Sequence, residues 1–124
     1  MGIKGISLSE TKDFVSEFDK DEPKTTWKLG ALDTDIFDLL GDQDRNPLKM
    51  MSEAVRFGLK GFENFKSADG NEVKFDTVSR AVGGRNYKVL ADNILRIIPP
   101  SVKNELGAEI LKMSKLSGEE IKNS

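Results

Sequence analysis

The stretch Tyr87-Lys88-Val89-Leu90-Ala91-Asp92-Asn93-Ile94-Leu95-Arg96-Ile97-Ile98-Pro99-Pro100 decides how much of this chain is helix. Tyr87, Leu90, Ala91, Ile94, Leu95 and Ile98 recur at three- and four-residue intervals, the spacing of one helical face. Asn86 can cap such a helix, and Pro99-Pro100 stops it, because proline has no amide proton to continue the ladder. The spacing therefore predicts an amphipathic helix over Tyr87–Ile98, with Gly83-Gly84 in front of it as a plain connector. A P-loop would need Gly-x-x-x-x-Gly-Lys followed by Ser or Thr, and the sequence contains no such string.

Working outward, a last long helix is expected from Ser101, with Val102, Leu106, Ile110 and Met113 on one face. Ser117 and Glu120 have capping-box spacing for a final turn. Ser114-Lys115 and Lys112-Met113-Ser114 offer Ser-Lys spacings for a nucleophile, but they read as solvent-facing and have no glycine-rich elbow beside them. Upstream, Asn46 caps a helix with Pro47 at its first position, along which Leu48, Met51, Val55, Gly58 or Leu59, and Phe62 recur. Asp33, Thr34 or Asp35 caps an earlier helix carrying Ile36, Phe37, Leu39 and Leu40, and Gly41 is expected to end it. Between the helices, Asp69-Gly70 marks a tight turn in a small hairpin around Phe65–Phe75. A calcium loop fails there, since Phe65 would fall on a ligand position.

The first thirty residues differ. Ile3–Leu8 alternates in the manner of a strand, and Thr25–Leu29 is β-branched and aromatic. Between them lie Phe14, Val15 and Phe18 among acidic residues, closed by Pro23. One reading is a hairpin covering a helical body; the other is an extended arm that pairs with a neighbouring subunit. The expected architecture is a single α+β domain over residues 1–124, predominantly helical. Four or five helices form the body from residue 31, with a short N-terminal hairpin in an arm over 1–30 and a small central hairpin.

Chemistry is bounded by what is missing. The 124 residues contain no histidine and no cysteine. Histidine is the usual general base near neutral pH, and the two together supply most zinc and transition-metal sites. Histidine-dependent triads, thiol chemistry and disulfides are excluded, so no catalytic residue, no metal and no cofactor is assigned. The net charge is −2. Residues 1–46 hold 11 acidic and 6 basic side chains, whereas 47–124 hold 10 acidic and 13 basic. That dispersed excess is no nucleic-acid footprint. No apolar run approaches the roughly 20 residues of a membrane span. The first residues lack an apolar signal core, so intracellular synthesis is expected. Binding remains, and Ile3, Ile6, Leu8, Phe14, Phe18 and Trp27 are the candidate interface residues.

Gly58 to Asp76, Gly-Leu-Lys-Gly-Phe-Glu-Asn-Phe-Lys-Ser-Ala-Asp-Gly-Asn-Glu-Val-Lys-Phe-Asp, resembles a block in small head and tail morphogenesis proteins of tailed bacteriophages. Phe62 stands where those proteins most often carry tryptophan. Asp19–Gly30 is similar to their opening acidic stretch and strand, and Leu106–Asn123 to their closing helix and tail. The resemblance implies a non-enzymatic virion structural or assembly protein of the tail or head–tail region, assembled in the host cytoplasm. Its partners would be other phage structural proteins and copies of itself in an oligomer or ring, with no nucleic acid and no membrane. A tail-assembly chaperone absent from the mature particle is the alternative.

Overall fold

The computed structural model describes residues 5–43 and 46–115. Three antiparallel strands, β1 (Thr11–Phe14), β2 (Thr26–Gly30) and β3 (Leu59–Glu63), form one sheet in that spatial order. A second sheet is the hairpin of β4 (Thr77–Val82) and β5 (Arg85–Leu90). The helices are α1 (Thr34–Gln43), α2 (Pro47–Gly58), the single turn α3 (Asp92–Leu95) and α4 (Pro100–Lys115).

This is a small α+β domain with four helices and five strands among the described residues, and it corrects the expectation of a predominantly helical body. The correction lies chiefly in the stretch around Tyr87. Gly83 and Gly84 both take positive φ, 57° and 81°, which is the backbone a two-residue hairpin turn requires and which glycine adopts without strain. They bring Val82 opposite Arg85 and register the ladder through to Thr77 opposite Leu90. Val89, off the helical stripe, is as buried as Leu90 beside it. Helix begins only at Asp92, after the Ala91 amide donates to the Asp76 carbonyl at 3.1 Å.

Other boundaries follow local chemistry. The Asn46 side chain accepts from the Leu48 amide at 3.0 Å and Pro47 opens α2, as expected. Phe62, however, lies in β3, because α2 ends at Gly58. Asp33 caps α1, its Oδ1 accepting from the Ile36 amide at 2.9 Å, but the helix runs through Gly41 to Gln43. The Asp69-Gly70 turn forms, with Gly70 at φ 88° and an isolated bridge pairing Lys66 with Glu72. In α4 the Pro99 carbonyl accepts from Lys103 at 2.9 Å, so the proline pair starts this helix cleanly.

The core sits where α4 crosses α2 behind the three-stranded sheet. Leu29, Val55, Leu90, Leu106 and Ile110 are fully buried there. The crossing is close because it is built on glycine: a Cβ on Gly58 would lie 2.5 Å from Ile110 Cγ2, and one on Gly107 2.7 Å from the Met51 carbonyl oxygen. Ser114, expected at the surface, is buried at 3 % exposure. Its hydroxyl donates to the Ile110 carbonyl at 2.6 Å and accepts from the Leu32 amide at 2.7 Å, tying α4 to the entry of α1. Ser117 and Glu120 lie outside the described residues.

Candidate protein interface

The N-terminal segment forms its strand later than expected. Residues 5–10 carry no strand, and β1 instead pairs Phe14 with Trp27 and Thr11 with Gly30. What selects Thr11–Phe14 is alternation against two partners at once. Phe14 packs against the core, while Lys12, two residues back on the same face, forms an ion pair with Glu109 of α4. Gly5–Leu8 carries no charged side chain that could make such a pair.

Beyond β1 the chain is clipped to α4 by polar contacts. The buried Ser16 hydroxyl donates to Glu105, and the Glu17 amide donates to the same carboxylate at 3.2 Å. Glu105 and Glu109 stand one helical turn apart, so a single face of α4 holds both ends of the clip. Asp19 then closes the loop on itself, accepting from the Thr25 amide at 2.7 Å and the Asp21 amide at 3.1 Å. Thr25 in turn donates to the Asn64 carbonyl at 2.8 Å.

The loop so formed walls a groove of about 450 Å³. Trp27, Phe65 and Val102 contribute apolar surface, and Phe18, Asp19, Asp21 and Glu22 line the loop side, with Lys66 the one cation among the lining residues. Phe18 is 53 % exposed at this edge, with Val15 and Leu8 at 45 % and 56 % elsewhere in the segment. A second cleft, of about 250 Å³, lies between Leu8, Asp33, Lys60 and Tyr87. There the Tyr87 hydroxyl donates to Asp33 Oδ2 at 2.8 Å, which holds the phenol proton and raises its pKa. Lys60 donates to the Phe57 carbonyl at 3.0 Å, and desolvation lowers its pKa even though Asp33 opposes the shift.

The six candidate interface residues therefore separate. Leu8 and Phe18 are exposed, and Ile6 is half-buried in a shallow cleft with Leu8 and Arg85. Phe14 packs on the core, and Trp27 is within it at 3 % exposure, its ring centroid 4.9 Å from that of Phe65 and 5.7 Å from that of Phe62. These edge-on and tilted ring contacts leave Trp27 lining the groove floor from inside the fold. Ile3 lies outside the described residues. Sequence reading passed over Val15, Val78 and Ile97, which are 45 to 49 % exposed; Ile97 was recognisable as off the apolar stripe. No group of three or more metal-ligating side chains occurs among the described residues. No family model matches this chain significantly, and neither does any curated protein or solved structure.

Proposed function

We propose that this protein is a non-enzymatic bacteriophage virion structural or assembly protein that acts through protein–protein interfaces in the tail or head–tail region. The observation that carries the reading is the N-terminal segment. It presents exposed Leu8, Val15 and Phe18 beside an edge strand and an acid-lined groove, while polar clips rather than a core of its own hold it to α4. Large exposed apolar side chains next to an open strand edge are what an interaction surface supplies. The sequence resemblance supports the phage context, and the partners would be other structural proteins of the particle together with further copies of this chain.

Mass spectrometry of purified particles of the phage encoding the chain tests this. Recovery at a fixed copy number relative to the major capsid protein is the expected result. Absence from mature particles combined with association with assembling tails would assign a chaperone instead, and absence from both would overturn the reading.

A further inference from the structure

β1 is the outermost strand of its sheet; among the described residues its only partner is β2. Its outer side therefore offers a row of unpaired amide and carbonyl groups, a template for another strand. We propose that this edge is a self-pairing surface, on which a second copy of the chain adds its own β1 antiparallel about a two-fold axis at Thr11.

The register follows from charge. A two-fold pairing of identical antiparallel strands sets one residue opposite its own copy, and the rest fall in place around it. Lys12 or Asp13 on the axis would oppose like charges directly, which is destabilising. Phe14 on the axis would set Ser16 opposite Lys12 and demand that the Ser16–Glu105 clip be undone. Thr11 on the axis sets Glu10 opposite Lys12, and symmetry makes that pair twice. It also sets Ser9 opposite Asp13 and Leu8 opposite Phe14, so polar meets polar and apolar meets apolar at every position.

Geometry permits the inner part of this ladder as the chain stands. Thr11 is exposed, and its side chain is on the face opposite Lys12 and Phe14. The chain bends at Leu8 and Ser9, where the Ser7 hydroxyl accepts the Glu10 amide at 3.3 Å. Opening that single exposed bond extends the ladder to Leu8, whose 56 % exposed side chain then meets Phe14 of the second copy. The contact is small, so the dimer is weak alone and gains strength when many copies are held together.

The absence of native cysteine makes the test clean. Opposed residues on the axis have Cα atoms about 4.5–5.5 Å apart, within disulfide range. The Thr11→Cys variant should form a disulfide-linked dimer under mild oxidation. The Asp13→Cys variant, whose two copies lie about 13 Å apart along the strands in this register, should not. Sedimentation should show a concentration-dependent dimer for the unaltered chain, weakened about tenfold in Glu10→Lys, where both attractive pairs become repulsive. Melting curves establish that each variant is folded. No cross-link in folded Thr11→Cys, or equal cross-linking at positions 11 and 13, would overturn the proposal. The inference deepens the interaction role proposed above, and the two fail separately. A chain found in particles but never cross-linked at position 11 removes the self-pairing alone, and a dimer absent from particles and assembling tails removes the phage role alone.

Discussion

The α2–α4 crossing and the N-terminal segment are held in opposite ways. At the crossing, Gly58 and Gly107 let two helices approach until Ile110 and the Met51 backbone fill the space a Cβ would need. Leu106 and Ile110 are fully buried there. The segment from Ile6 to Thr25 buries almost no large apolar side chain apart from Phe14, and its hold on α4 is Lys12–Glu109, Ser16–Glu105 and a backbone amide. Apolar burial without room to relax resists opening, whereas polar contacts that are exposed or only part-buried exchange more readily with water. The difference teaches which part of the chain is scaffold and which part is free to meet a partner.

The sharpest way to break this contrast is to remove scaffold. Leu106→Ala or Ile110→Ala should cost about 2–5 kcal/mol, because a fully buried side chain leaves both lost contacts and a cavity. Trp27→Ala belongs to the same class, at about 3–5 kcal/mol, since its ring is enclosed by Phe62 and Phe65. Denaturant midpoints would measure both; a Trp27→Ala chain with an unchanged midpoint would place that residue with the segment rather than the scaffold. Gly107→Ala should follow at about 1–3 kcal/mol from overpacking, because the atom it meets is backbone and cannot swing away.

Loosening the clip should do less. Ser16→Ala removes a buried hydroxyl that satisfies Glu105, at about 1–3 kcal/mol if the carboxylate finds no water and less if it does. Phe18→Ser, at an exposed position, should leave the unfolding free energy within the range of ordinary surface changes, about 0.5 kcal/mol. The smallest effect is pH-linked. The Arg56 guanidinium holds Asp92 below its usual pKa, and the Ser67 hydroxyl with the Asn71 amide does the same for Asp69. A carboxylate whose folded pKa is depressed contributes stability above its unfolded pKa and loses it as pH falls through the folded value. Melting temperature should therefore decline on acidification below the ordinary carboxylate range, and less steeply in Asp92→Asn and Asp69→Asn. Equal slopes in all three chains would remove these two groups from the account.

The sequence disclosed its local signals and withheld its long-range ones. Asn46-Pro47, Asp33 and Asp69-Gly70 are each read by neighbours within four residues, and each acts as expected, whereas Pro99-Pro100, expected to stop a helix at Ile98, instead opens α4 because α3 has already ended at Leu95. Gly83-Gly84 is equally local, but a glycine pair serves a connector as well as a hairpin turn. The apolar positions 87, 90, 91, 94, 95 and 98 fit a helical stripe even though a strand and a single turn divide them. Val89, buried yet off that stripe, was the residue that contradicted the helix. The placement of β1 at Thr11–Phe14 depends on Glu109, 97 residues away along the chain, and no window along the sequence contains that pairing. Ser114 is the same case, since its acceptor role is for Leu32, 82 residues earlier. In the candidate interface, Leu8 and Phe18 were legible as apolar residues in polar company, while the burial of Trp27 depended on β3 arriving beside β2.

Native-state hydrogen exchange tests the division between scaffold and segment most directly. Amides of α4 between Leu106 and Ser114 should exchange only through global unfolding, with the full stability of the domain. Amides of Glu17, Phe18 and Thr25 should exchange through a smaller opening that leaves α2 and α4 protected. Equal protection at the two places, falling together with denaturant, would contradict the account and make the N-terminal segment part of one cooperative core.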